Sequence, residues 1–190
     1  LALQTEPWAR GRKILMLEPR RIAARAVARR MAQTLGEEAG ETVGYRTRFD
    51  TRVGPRTRIE VVTEGVLTRM LQSDPGLDGI AAILFDEFHE RSLQADLGLA
   101  LVLDARTTLG LDLRIVAMSA TLDGAAVAAL LADAGGEPAP LITSMGRSFP
   151  VTTLYLGRGL PLLPGPESPE RAVVHAVRRA LDESPGDLLV

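Results

Sequence analysis

Short apolar runs alternate along this chain with polar, periodic stretches. Ile14-Leu15-Met16-Leu17 follows a basic turn and reads as a buried strand. Over 20–35 the apolar positions take a helical period. Ile22, Ala23, Ala26, Val27, Met31 and Leu35 share one face, and Arg21, Arg25 and Arg29 stack at four-residue spacing on another. Gly36 ends that helix. A second strand is expected over 58–62, after Gly54-Pro55, and a short helix over 64–72, closed by Asp74-Pro75-Gly76. Residues 80–85 form a continuous apolar strand, as expected where both faces of a sheet are covered. A helix over 93–106, an apolar strand over 114–118 and a helix capped by Asp123 and running to about residue 134 follow.

Strands alternating with helices predict an α/β unit with a mainly parallel sheet. Gly135-Gly136-Glu137-Pro138 breaks the pattern, and 146–150 reads as a connector. The expected organisation is therefore a first domain over 1–145 and the beginning of a second over 146–190. In that second part 151–156 alternates as a strand, 157–169 is a loop rich in Pro and Gly, and 170–183 is a helix. The chain ends read as interrupted elements, with 1–4 as the tail of a helix and 186–190 as a strand just begun.

Composition narrows the function classes. At 46% hydrophobic over 190 residues the chain can bury one core and the start of another. A net charge of -2 means that any affinity for a phosphate backbone must come from local clusters. Lys13 is the only lysine, so the positive charge is almost all arginine. That suits bidentate phosphate contacts, and base composition of the source genome would produce it equally. The absence of cysteine excludes disulfides and thiolate metal sites. No apolar stretch approaches the ~20 residues of a membrane span, and the first residues lack a signal-peptide pattern. A cytoplasmic protein without membrane contact is the expectation.

The chemistry concentrates in Ile83-Leu84-Phe85-Asp86-Glu87-Phe88-His89-Glu90-Arg91. In parallel α/β sheets ligands sit at the carboxyl ends of strands. Two adjacent carboxylates there fit nucleotide hydrolysis: one holds magnesium through water, the next orients or deprotonates an attacking water. A polar turn with Asp86 as a helix cap is the structural alternative. A transition-metal site of Glu87, His89 and Glu90 lacks the second histidine of a zincin helix.

The string 86–91 resembles motif II of the DEAH-box helicases, superfamily 2 motors, with Phe88 in place of alanine. The resemblance implies ATP and Mg2+ as cofactors. It gives Asp86 the magnesium, Glu87 the attacking water beside that metal, and His89 the coupling of the nucleotide site to the motor cycle. Further motifs follow the family order. Leu17-Glu18-Pro19-Arg20-Arg21-Ile22-Ala23-Ala24 resembles motif Ia, which touches the backbone of the bound strand. Helix-start amides beside arginines favour phosphate, so Pro19, Arg20 and Arg21 are candidate contacts. Arg25 and Arg29 read as a solvated face. Val43-Gly44-Tyr45-Arg46-Thr47-Arg48-Phe49 resembles the segment between motifs Ia and Ib, where Arg46 and Arg48 either contact the strand or decorate a surface hairpin. Thr63-Glu64-Gly65 resembles motif Ib, another backbone contact, with N-capping by Thr63 as the bland alternative. Met118-Ser119-Ala120-Thr121-Leu122 matches motif III, whose hydroxyls on Ser119 and Thr121 support the acidic motif and link hydrolysis to strand movement. Gly146-Arg147-Ser148-Phe149-Pro150-Val151 resembles the connector between the two motor domains. Within the family the bacterial HrpB-type helicases share the Glu-Pro-Arg-Arg-Ile-Ala-Ala-Arg start, the Thr-Glu-Gly and the phenylalanine of motif II.

The resemblance implies most of a first RecA-like P-loop NTPase domain, lacking its N-terminal strand and P-loop, and the start of a second RecA-like domain. The activity implied for the parent protein is ATP-driven unwinding of RNA or DNA, gripped as a single strand by its backbone. Two other readings compete: a motor-derived binding module that does not hydrolyse, and a magnesium phosphotransferase using the acidic cluster alone. No G-x-x-x-x-G-K-[ST] string occurs in the chain, and the family carries it just upstream of the position matching Leu1. Without that cradle the carboxylates have no phosphates to act on. Sheet edges left unpaired by the missing strand would also make the isolated chain poorly stable or prone to aggregate. The purified chain is expected to show no more than a trace of ATP turnover in a phosphate-release assay; brisk turnover would refute this.

Overall fold

The computed structural model describes residues 2–9, 11–120, 124–132, 135–144, 146–147, 149–153 and 169–190. The elements are β1 (Lys13–Glu18), α1 (Arg21–Thr34), β2 (Val43–Arg46), β3 (Thr51–Arg52), β4 (Ile59–Thr63), α2 (Glu64–Ser73), β5 (Ile80–Phe85), α3 (Leu93–Leu109), β6 (Arg114–Ala117), α4 (Gly124–Leu130) and α5 (Pro169–Glu183). Two compact units divide the chain, Leu1–Ile142 and Thr143–Val190.

All six strands lie in one sheet of order β3-β2-β4-β1-β5-β6. Every pairing is parallel except the β2–β3 hairpin. The expected α/β architecture with a mainly parallel sheet is the one observed. Alternation along β1 divides the core. Leu15 and Leu17 point into a cluster with Val62, Leu67, Ile83, Phe85, Leu99 and Val102 under α2 and α3. Ile14 points the other way, into a cluster with Val43, Tyr45, Ile59, Val61 and Ala82 under α1. Each large apolar side chain so enclosed contributes about 1.5–3 kcal/mol.

α1 approaches the sheet through Ala24, Ala28 and Ala32, all fully buried at four-residue spacing. This differs from the face expected from the sequence. Val27 and Met31 only flank the cluster, and Ile22 is 83% exposed. Short side chains let the helix sit close over Tyr45 and Val61, so the alanine stripe takes the contact. α3 ends at Leu109, three residues beyond the end expected at 106, and Gly110, at φ 62, closes it in the left-handed conformation.

Two stretches expected as strands show no strand among their described residues. Residues 151–153 carry no regular structure, and 154–156, the rest of that expected strand, lie outside the described residues, as do loop positions 157–168. Residues 186–190 are likewise irregular and exposed. A strand needs a partner for its backbone groups, and none pairs with these segments among the described residues. Residues Ala2–Thr5 form a 3-10 helix in the stretch read as a helix tail. The cap assigned to Asp123 lies outside the described residues. In the second unit α5 carries an Arg179–Glu183 ion pair of 2.7 Å at four-residue spacing.

The hairpin is held tightly. A Cβ on Gly44 would meet the backbone oxygen of Arg52, with Thr57 Cγ2 at 3.2 Å and Val53 Cγ1 at 3.0 Å. Gly44→Ala should therefore speed amide hydrogen exchange across β2 and β3 while leaving β5 protected; unchanged exchange in the hairpin would contradict this packing.

Candidate active site at the carboxyl edge of the sheet

β5 runs fully apolar to Phe85, and its ladder continues one residue further, since the Asp86 amide donates to the Leu17 carbonyl of β1 at 3.0 Å. The chain then leaves the sheet abruptly. Glu87 adopts the left-handed conformation, φ 49 and ψ 36. Residues Phe88–Glu90 form one 3-10 turn, and Arg91 is left-handed again at φ 48. Non-glycine residues hold such angles only where surrounding contacts over-determine them.

Those contacts are specific. The Phe88 amide donates to the Met118 carbonyl at 3.0 Å, and the Met118 amide donates to the Phe85 carbonyl at 2.8 Å. The Phe88 ring is buried and stands edge-on to Phe85, 6.1 Å between centroids at 76°. Arg91 covers the same ring at 5.7 Å and forks to Asp96. The phenylalanine that departs from the DEAH pattern is thus the plug that fastens the acidic turn to the core. The Glu87 amide donates to Asp86 Oδ1 at 2.8 Å. This arrangement resolves the difficulty that adjacent strand residues point apart: the turn at Glu87 aims both carboxylates to the same edge.

Beside them stands Glu18, the last residue of β1, only 4% exposed. Burial, then a hydrogen bond and charge from Asp86, then the charges of Glu87 and Glu90, push its carboxyl up to about 7. Sequence reasoning missed it, although an acidic residue closing an apolar strand is the signal that Asp86 also gives. His89 Nδ1 lies 3.3 Å from Glu87 Oε2 but makes no hydrogen bond and is buried.

Ser119 directly follows Met118, so it lies beside the acidic turn, while Thr121 falls outside the described residues. Pro19, Arg20 and Arg21 form the passage from β1 to α1. Arg20 is the N-cap residue by its backbone, and its guanidinium pairs with Glu90 at 2.7 Å. Thr63, Glu64 and Gly65 form the matching passage from β4 to α2, and Thr63 pairs with Glu18 in the parallel register. Thr63 is the N-cap residue of α2 by its backbone, and its side chain makes no cap bond. Glu64 instead accepts a short hydrogen bond from Ser92, the N-cap residue of α3. Gly65 has open space where a Cβ would stand. Arg25 pairs with Asp50 at 3.1 Å, and Arg46 pairs with the buried Glu60 at 2.7 Å. A cavity of about 310 Å³ beside Glu60 and Lys13 opens at the opposite end of β1 and β5, away from the acidic edge.

A carboxyl that binds its proton more tightly folded than unfolded makes stability fall as pH rises from 4.5 through about 7. In metal-free buffer an NMR titration of the Glu18 carboxyl should show its midpoint near 7, and Asp86→Asn should lower it. A midpoint at the ordinary 4.5 would contradict the crowding of these acids.

No protein-family model matches the chain. Over all 190 residues it is 50% identical to the ATP-dependent RNA helicase HrpB of Escherichia coli (strain K12), and it spans 22% of that protein's length. Over 138 residues, 70% of the chain, it is 35% identical to the probable ATP-dependent RNA helicase DHX35 of Homo sapiens, spanning 19% of it. Two crystal structures share the backbone over 97% of this chain and 22% of theirs. One is the Escherichia coli DEAH/RHA helicase HrpB, with a TM-score of 0.81 at 49% identity. The other is the E. coli DExH-box NTPase HrpB, with a TM-score of 0.71 at 49% identity. Identity along its whole length and a shared backbone place this chain in the DEAH/RHA helicase family.

Proposed function

We propose that these residues are the catalytic edge of an ATP-dependent helicase motor acting on RNA or DNA in the cytoplasm. One observation carries the reading: the Phe88–Met118 and Asp86–Leu17 backbone bonds tie the acidic turn to the tips of both neighbouring strands. Four motifs follow one another in the sequence, and their described residues stand at or just after the ends of β1, β4, β5 and β6, which run parallel in one sheet. Residues 1–145 are assigned to the first RecA-like domain, and 146–190 to the connector and the start of the second. No helix among the described residues is long and apolar enough to cross a membrane.

Among the described residues no group of three or more His, Asp or Glu is arranged to hold a metal ion by itself. Magnesium does not require one, since it is commonly held by one or two carboxylates together with waters and substrate phosphates. The acidic edge fits it: burial, then the hydrogen bond and charge of Asp86, then the charges of Glu87 and Glu90, push the Glu18 carboxyl up to about 7. When bound, the ion would neutralise charge on the β and γ phosphates. Asp86 is the residue to hold it, with Glu87 beside it. Glu87 presents a half-exposed carboxylate to the water that attacks the γ-phosphate, oriented by the left-handed turn beneath it. His89 borders Glu87 with a buried Nδ1 that has no hydrogen-bond partner, which suits a residue that reads the state of the nucleotide. Ser119, two residues beyond the end of β6, and Thr121 are assigned the coupling role.

The bound strand is assigned to the neighbouring strand tips. Pro19, Arg20, Arg21, Thr63, Glu64 and Gly65 lie at the ends of β1 and β4, where helix-start amides and guanidinium groups favour phosphate oxygens. Arg20 must leave Glu90 to reach a phosphate. Exposed ion pairs are worth only about 0–1 kcal/mol, so that exchange is inexpensive.

Glu87→Gln in the whole protein removes the carboxylate that orients water and keeps the shape of the turn. Hydrolysis should fall by about two orders of magnitude or more while nucleotide binding persists. Steady-state turnover and equilibrium nucleotide binding, measured on the same preparation, check this. Unchanged turnover would sink the assignment.

A further inference from the structure

The loop that joins β2 to β3 displays an aromatic side chain that the site above does not use. Phe49 is 74% exposed, although the loop carrying it is well braced. The Asp50 carbonyl accepts from the Thr47 amide at 2.9 Å and from its hydroxyl at 3.0 Å. The Asp50 carboxylate accepts from the Tyr45 hydroxyl at 2.9 Å and pairs with Arg25 of α1 at 3.1 Å. Asp50 is thus pinned through both its backbone and its side chain, and its neighbour is turned outward. Two guanidinium groups lie over the exposed ring: Arg48 at 5.1 Å from its centroid and Arg21 at 5.9 Å. Arg21 begins α1 and directly follows Arg20, so the ring adjoins the passage from β1 to α1.

We infer that Phe49 is a stacking platform for one unpaired base of the bound strand. This rests on the reading that the passage from β1 to α1 grips a nucleic-acid backbone. An isolated exposed apolar residue needs no explanation in a soluble protein. Phe49 is not isolated: a fixed loop presents it between two cations. Single-stranded nucleic acid is held by this combination, with aromatic faces for bases and guanidinium groups for phosphates and for further stacking. A base that displaces one arginine from the ring replaces a cation–π contact with a stack and frees that arginine for a phosphate. The stack is indifferent to sequence, because every base has a π face. A protein partner would use the same ring as an apolar anchor, and there leucine would serve nearly as well.

The test is equilibrium binding of a fluorescent single-stranded oligonucleotide to the whole protein carrying these residues. Parallel measurements use an abasic oligonucleotide of the same length. Phe49→Ala should weaken binding roughly five- to tenfold on the intact oligonucleotide, the lower part of the range for one stacked base. It should have little effect on the abasic one, and the slope of affinity against salt should stay unchanged. Phe49→Tyr should restore binding and Phe49→Leu should not. Arg20→Ala should instead make the salt slope shallower by about 0.7. Equal losses on intact and abasic oligonucleotides, no loss, or rescue by leucine would overturn the stacking assignment while leaving backbone binding in place. Failure of the parent protein to bind any single strand would overturn both readings.

Discussion

Backbone hydrogen bonds at the tip of β5 are the constraint on which this site depends. A strand ending in two carboxylates would ordinarily send them to opposite faces of the sheet. Here the Asp86 amide is held by β1 and the Phe88 amide by the residue after β6, so the chain between them must turn within one residue. Glu87 meets that demand by entering the left-handed region. Non-glycine residues stay there at a cost of about 1–3 kcal/mol, which the burial of Phe88 against Phe85 offsets. The geometry of the acidic turn and the hydrophobic core are therefore one structure.

The edge is also electrostatically unbalanced. Glu18, Asp86, Glu87 and Glu90 gather where β1 and β5 end, and Arg20 pairs with only one of them. Burial first, and then these neighbouring acids, raise the Glu18 carboxyl to about 7. The divalent cation and phosphates proposed for this edge would complete its charge. The same arrangement joins the two functions assigned to the edge. Glu64 of the β4 passage is bonded to Ser92, which caps the helix following the acidic turn, and Arg20 of the β1 passage is bonded to Glu90 within it. The β1 passage thus contacts the turn, and the β4 passage the helix after it, each through one side-chain bond.

Phe88 and Ile22 show where local pattern misleads. As a variant letter within a motif, Phe88 carries no catalytic chemistry, and only its buried contact with Phe85 shows that it holds the turn. Ile22 belongs to the most apolar helical face by period, yet it faces solvent. The contact made by α1 is decided by how near the sheet lies, and the near approach selects alanine. Arg46 illustrates the same limit: a candidate phosphate contact by charge, it is engaged by Glu60, a buried carboxylate fourteen positions away.

The sequence by itself determined the alternation of strands and helices in the first unit, the limits of β5 to the residue, and the identity of the acidic, hydroxyl and arginine groups. These follow from side-chain period and local chemistry, which act over a few residues and can be read in order. Tertiary structure decided the strand order, the inclusion of β2 and β3 in the sheet, the proximity of Glu18 to Asp86, and the outward display of Phe49. Each depends on which distant segments become neighbours, and parallel pairing brings together residues that no local pattern links. The stretches 151–153 and 186–190, expected to lie in strands, fall on the same divide. Their apolar residues are legible in the sequence, but a strand exists only where a partner accepts its backbone hydrogen bonds.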